Sequence, residues 1–173
     1  MAEECKIVEL QDKKDIELSR LLIAKYHAQG ITQGGGASKI QKYFTYQCDN
    51  YIVAIAWIND SIPFRFVAEK FKIPIDRSYF IRRVTKTAPG DYLVEFLEKL
   101  SDLLKSYEIE VLWTLGFPNH SNALYKNSGF EYVGDTPRTN TPVFVKYLNV
   151  RHVVPNEVNE KDKKTKNEVK KDE

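Results

Sequence analysis

The sequence has no apolar run approaching the roughly 20 residues that a membrane span needs, and no stretch near its start that reads as a signal peptide. No membrane partner is expected. Cysteine is scarce: Cys5 and Cys48 are the only two, and neither has a second Cys or a His at metal-ligand spacing. No metal site is expected, and both cysteines read as ordinary small residues of a chain in the reducing cytosol, so the expected localisation is cytoplasmic. Charge of one sign is lacking too. The 26 Lys and Arg stand against 24 Asp and Glu, a formal net charge of +2, so bulk electrostatics does not argue for nucleic acid or a membrane surface. No internal repeat is visible.

What is present suits one folded unit. A chain of 173 residues with 42% hydrophobic content has room for one domain with a real core. The segment 151–173 differs from the rest: it holds seven Lys or Arg and six Asp or Glu, and its apolar residues are four valines. Such a segment cannot bury enough surface to offset its ordering entropy. The reading is therefore a domain over 1–150 and a disordered charged tail over 151–173.

Along the domain, Leu18, Leu21, Leu22 and Tyr26 recur at helical spacing after a polar start at Asp12 to Asp15, predicting a helix to about His27. The glycine-rich stretch Gly34 to Ser38 reads as a flexible loop. Two aromatic and β-branched runs, 43–48 and 51–58, joined by Asp49-Asn50, predict a β-hairpin. Residues 61–76 show no clean period and read as a loop with some helix or strand. Then 79–85 reads as a strand, Ala88-Pro89-Gly90 as a break, and Leu93, Phe96, Leu97, Leu100, Leu103 and Leu104 as an amphipathic helix with Asp91 as its N-cap. A strand at 110–115 completes a βαβ unit with two parallel neighbours. Residues 122–128 form a short helix closed by Gly129, and strands at 130–133 and 143–148 follow. The order is β-α-β-β-loop-β-α-β-α-β-β, an α/β fold.

The segment Asn119 to Gly134, with Leu124-Tyr125, three residues, Gly129-Phe130 and a strand, resembles the late motif of the GNAT acyltransferases. The resemblance implies a mixed sheet with helices on both faces, an acyltransferase activity and acetyl-CoA or another acyl-CoA as cofactor. It gives Tyr125 the role of protonating the departing thiolate. A thiol near pKa 8.5 and a phenol near 10 leave that transfer uphill by about 2 kcal/mol, so the phenol assists without dominating. The resemblance also implies cofactor contacts on the strand and turn before the long helix, at Arg82, Val84, Lys86 and Gly90, and at Asn122. The turn departs from the family's paired glycines. Pro89 removes an amide donor and Asp91 places negative charge where a pyrophosphate would lie, which predicts a weak grip on acetyl-CoA.

The proline-containing turn, together with His120, Asn122 and Tyr125 at their spacing, looks like the phage Mom-type DNA-modification proteins, divergent members of the superfamily. That resemblance implies DNA as partner and the exocyclic amine of adenine as acceptor. His120 is the candidate general base. Phe64 and Arg65, beside His27, are candidate substrate contacts, since an enzyme reaching a base edge needs aromatics and cations at its pocket. Arg82 and Arg83 alternate on one strand, so one of the two is expected to face the cleft. A conventional N-acetyltransferase acting on a small amine or protein, and a GNAT-shaped module that binds without catalysis, are the other readings.

Overall fold

A computed structural model describes residues 4–27 and 39–148. The glycine-rich loop and the charged tail singled out above lie outside the described residues. The chain forms one seven-stranded sheet in the order β1-β2-β3-β4-β5-β7-β6. In sequence these are β1 (Cys5–Glu9), β2 (Gln41–Cys48), β3 (Tyr51–Asp60), β4 (Ser78–Lys86), β5 (Val111–Leu115), β6 (Glu131–Asp135) and β7 (Pro142–Tyr147). The helices are α1 (Lys13–Tyr26), α2 (Arg65–Lys70), α3 (Leu93–Lys105) and α4 (Ala123–Asn127). The stretch read as a loop with some helix or strand holds the short helix α2 between two 3-10 turns, too short to leave a periodic trace.

Asp49 and Asn50 take φ of 51° and 70°, the paired left-handed geometry of a type I′ turn, and they fold β2 back on β3 as the sequence predicts. β4 and β5 are parallel neighbours, with α3 between them in sequence. Apolar residues alternate across the sheet. One face, with Phe44, Tyr46, Ala56, Ile58 and Ile81, packs against Phe96, Leu97, Leu100 and Leu104 of α3 and Tyr125 of α4. The other face packs Tyr43, Ile55 and Trp57 against Ile23 of α1, and Phe80, Trp113 and Val145 against Ala68 of α2. The result is the expected α/β layering with helices on both faces.

Three local expectations need correction. α1 is capped by Asp12, whose side chain accepts from the Lys14 amide at 2.8 Å, but it buries Ser19 and Ile23 rather than the stripe read from spacing. Leu18, Leu21 and Tyr26 are exposed. Asp91 does not cap α3. The chain is still turning at Gly90, at φ +133°, where a Cβ would stand 2.5 Å from the Tyr92 ring, so the helix begins after Tyr92 with no side-chain cap.

The third correction concerns the cysteines. Cys5 and Cys48 are register partners on antiparallel β1 and β2 and are joined by a disulfide, so they are not two independent thiols. This removes the ground on which a reducing compartment was expected. Among the described residues, no helix is long and apolar enough to cross a membrane. The bridge closes a loop with a sequence separation of 43, and a loop of that size stabilises a fold by roughly 2–4 kcal/mol. Alkylation of the denatured, unreduced protein followed by mass spectrometry should add no label, and two labels should appear only after reduction. Two labels without reduction would mean that the bridge does not form.

Candidate active site

β4 and β5 pair only over Ser78 to Ile81 and Val111 to Thr114. At the last rung the Thr114 hydroxyl donates to the Ile81 carbonyl at 3.0 Å. Beyond it the strands part, because β4 stays with β3 as far as Lys86 while β5 follows β7 to Leu115. A cavity of about 230 Å³ opens in this split, lined by His27, Phe64, Arg82, Arg83, Val84, Thr114, Gly116, Phe117 and Tyr125 among others. Five residues singled out in the sequence, Tyr125, Arg82, Val84, Phe64 and His27, therefore meet at one place.

Tyr125 comes from α4, on the face shared with α3, and its ring sits against Phe130 and Phe144 at 5.6 and 5.5 Å. Burial pushes its phenol above the ordinary tyrosine value, while hydrogen bonding with Thr114 and the Arg83 charge pull it back. The group is a neutral O–H at physiological pH, in the protonation state a proton donor requires. His27 follows the last turn of α1 on the opposite face. Its pKa is lowered, first by burial and then by the Arg83 charge, which keeps the imidazole neutral and able to accept a proton at neutral pH.

Simple strand alternation sends only one of Arg82 and Arg83 into the cleft, yet both line it. The cause is a β-bulge: Ile81 pairs with Ile58 and Arg83 with Trp57, which makes Arg82 the extra residue of the bulge. Arg83 shares the face of its partner Trp57, which belongs to the α1 cluster. The Arg82 guanidinium lies 5.7 Å from the Trp57 ring and 5.6 Å from the Phe64 ring. Both arginines therefore belong to the α1 and α2 side of the sheet, opposite Tyr125. Burial lowers the pKa of each, the Arg82 charge lowers that of Arg83 further, and a guanidinium remains charged all the same.

A second cavity of about 280 Å³ lies further along the same two elements, lined by Lys86, Gly90, Asp91, Tyr92 and Leu93 together with Leu124 and Asn127 of α4. It brings together Lys86 and Gly90; the Lys86 ammonium donates to the Gly90 carbonyl at 3.3 Å. The first amides of α3 open here without a side-chain cap. Asp91, expected to oppose an anion, lines this cavity, while the nearby Glu95 of α3 is engaged by Lys99 at 2.8 Å.

The remaining candidates are placed elsewhere. His120 is exposed, 5.6 Å from the Phe117 ring, and lines a separate cavity of about 480 Å³ with Lys126, Tyr132 and Asp135, away from Tyr125. Asn122, at φ 53°, occupies its side chain with the turn: its carbonyl accepts from the Phe117 amide at 2.9 Å, and its amide donates to the carbonyls of Phe117 and His120 at 3.0 and 3.1 Å. Arg65 is exposed on α2 and does not line the cleft. Thr114 and Gly116 were not among the predicted site residues, and Arg83 was expected only as the alternative to Arg82. Thr114 and Gly116 carry no sequence signal; they matter because the strands separate beside them.

No family model matches the chain. Uncharacterized protein 154 of Sulfolobus islandicus rod-shaped virus 1 is 55% identical over 153 residues, covering 86% of this chain and 99% of that protein. Among solved structures, the aminoglycoside acetyltransferase AAC(6')-Ib in complex with coenzyme A superposes with a TM-score of 0.62 at 13% identity, covering 83% of this chain and 95% of its own. FeeM, an N-acyl amino acid synthase from uncultured soil microbes, gives 0.59 at 13% identity, with 87% and 93% covered. A ribosomal-protein alanine N-acetyltransferase from Escherichia coli gives 0.58 at 15% identity, with 87% and 97% covered. The chain has the fold of the GNAT acetyltransferases. No comparison supports the Mom-type resemblance.

The mouth of the cleft depends on Gly116, where a Cβ would stand 2.5 Å from the Asn122 carbonyl oxygen and 2.8 Å from the Phe144 ring. Overpacking of this kind costs about 1–3 kcal/mol, so Gly116→Ala should lower the unfolding midpoint by roughly 3–10 °C. A calorimetric scan with an unchanged midpoint would show that the turn has more room than these contacts allow.

Proposed function

The chain belongs to the same family as protein 154 of the rod-shaped virus, and from its fold and cleft we propose that it is an acyltransferase moving an acyl group from a CoA thioester to a small amine. The observation that carries this reading is the parting of β4 and β5, with a neutral phenol on one side of the opening and a neutral imidazole on the other. A thioester supplies an activated carbonyl and a thiolate leaving group. The residues present fit such a donor. The two cavities lie at successive positions along β4 and α4, the outer one against the uncapped start of α3 and Lys86, where phosphate oxygens find amide donors and a cation. The inner edge of β4 over 82–86 faces the cleft instead of a strand, and is suited to hydrogen-bond the amide-rich arm of the donor.

In the proposed reaction the amine nitrogen attacks the acyl carbon from the α1 side. His27 accepts the proton that nitrogen gives up, the carbon–sulfur bond breaks, and Tyr125 donates its hydroxyl proton to the departing sulfur. Solvent then returns a proton to Tyr125 and removes one from His27. This assigns His27, read from sequence as a substrate contact, the work there expected of His120. A cavity of about 230 Å³ that must also receive the acyl end favours a small amine over a flipped adenine.

Two outcomes test the assignment. Tyr125→Phe should reduce acyl transfer by roughly 10²- to 10⁴-fold with the unfolding midpoint nearly unmoved, since the ring remains; undiminished activity would remove the phenol from the mechanism. For His27, a base must be neutral, and its pKa is depressed from 6.5. The acidic limb of the kcat/KM profile should therefore fall below pH 6.5 and disappear in His27→Gln. A limb that persists in the variant would assign the base elsewhere.

A further inference from the structure

Thr114 is buried, and at the last rung between β4 and β5 its hydroxyl donates to the Ile81 carbonyl at 3.0 Å. Strand parity sets where that hydroxyl stands. Leu112 packs on the α3 side of the sheet and Trp113 on the α2 side, so Thr114 returns to the side of α3 and α4, which holds Tyr125. Its register partner on β7 is Phe144, whose ring lies 5.5 Å from that of Tyr125, and Thr114 and Tyr125 line one cavity. A threonine hydroxyl has a single proton to donate, and here two oxygens stand ready to accept it. Resting on the acyltransferase reading, we propose that Thr114 is a positioning residue whose hydroxyl turns from the Ile81 carbonyl to the Tyr125 oxygen as that oxygen gives its proton to the departing sulfur.

The driving force is a change in acceptor strength. While the phenol is neutral, the Ile81 carbonyl takes the Thr114 proton. Once the phenol has given up its own proton, its oxygen is the stronger acceptor, because a hydrogen bond to an ionised group is roughly twice as strong as one between neutral groups. The change needs only a rotation of the hydroxyl hydrogen. In the step itself the O–H bond of Tyr125 breaks and an S–H bond forms, while Thr114 keeps its proton and exchanges one acceptor for another. When solvent returns a proton to Tyr125, the hydroxyl turns back to the carbonyl. The titration of the phenol runs the same way: burial raises it, and hydrogen bonding with Thr114 and then the Arg83 charge draw it down. His27 and Arg82 are the other charged or titratable groups that share the cavity with Tyr125. Lys126, its neighbour on α4, is exposed, α3 turns Phe96, Leu97 and Leu100 to this cluster, and the ring contacts Phe130 and Phe144 carry no charge. The Thr114 hydroxyl thus supplies a fixed donor where the negative charge develops.

The test uses the full chain and has two arms. In the transfer arm, thiol release from acetyl-CoA is followed with glycinamide, ethanolamine and putrescine as acceptors. In the ionisation arm, protein labelled with fluorotyrosine is titrated by fluorine NMR, and the Tyr125 resonance is the one missing from Tyr125→Phe. Thr114→Val keeps the shape of the side chain and removes its hydroxyl. It should lower kcat about 10-fold, the difference between a neutral and a charge-assisted hydrogen bond, with KM little moved, and Thr114→Ser should restore most of the loss. Added to Tyr125→Phe, Thr114→Val should reduce kcat no further, whereas a role in packing alone would add its own loss. The Tyr125 phenol should ionise at higher pH in Thr114→Val and return toward its original midpoint in Thr114→Ser. Thr114→Cys, with a weak donor, serves as the second variant if Thr114→Val fails to fold. Losses that add in the double variant, or a phenol midpoint unmoved by Thr114→Val, would overturn the proposal. If the midpoint moves but none of the three amines releases thiol, the contact between Thr114 and Tyr125 stands while the acyltransferase reading falls and takes the turning step with it. If thiol release needs Tyr125 but is undiminished in Thr114→Val, the reading stands and the proposal falls.

Discussion

The structure depends on a sheet that cannot stay closed between its two parallel strands. β4 is held by β3 through seven rungs and β5 by β7 through five, and only four rungs join the two halves before they separate. The Thr114 hydroxyl on the Ile81 carbonyl fixes where the separation starts. Everything assigned to the site lies at or beyond that point. A sheet in hydrophobic contact on both faces is a barrier between its layers, and the split is the place where a group from α4 and a group from the end of α1 reach one cavity.

That geometry divides the chemistry by face. Tyr125 is packed among Phe130 and Phe144, and the burial that raises its pKa is the same burial that locks its ring. His27 and the two arginines sit across the sheet, and the Arg83 charge acts on both titrating groups, drawing the phenol down and the imidazole down as well. In both cases a cation favours the less protonated form. One guanidinium between a proton donor and a proton acceptor thus keeps the imidazole neutral and limits how far burial can raise the phenol.

Much of the frame was legible because it is written in local chemistry. Asp49-Asn50 permits the paired left-handed turn, the leucines of α3 recur at its buried positions, and Gly129 ends α4, so the hairpin, the βαβ unit and the short helix that carries Tyr125 follow from sequence. The misses are tertiary. A one-residue bulge reverses strand parity after Ile81, so no alternation argument from sequence puts both arginines in the cleft. Cys5 and Cys48 become partners only once the register of β1 on β2 is set. α1 turns Ser19 and Ile23 inward because the small hydroxyl side chain lets the helix approach the sheet, which spacing of large apolar residues does not reveal. His120, close to Tyr125 in sequence, is carried outward by the turn that Asn122 closes, while His27, 98 positions away, is brought in by the end of α1.

The central claim is that a thioester donor lies along β4 and α4 and reaches the split. Hydrogen–deuterium exchange with and without acetyl-CoA addresses it without requiring an acceptor. Protection is predicted in the peptides spanning 82–95 and 122–128, the strand edge, the start of α3 and α4, with little change in β1, β2 or α2. Unchanged exchange at saturating acetyl-CoA, or protection confined to 117–120 and 132–142 around the His120 cavity, would contradict the account.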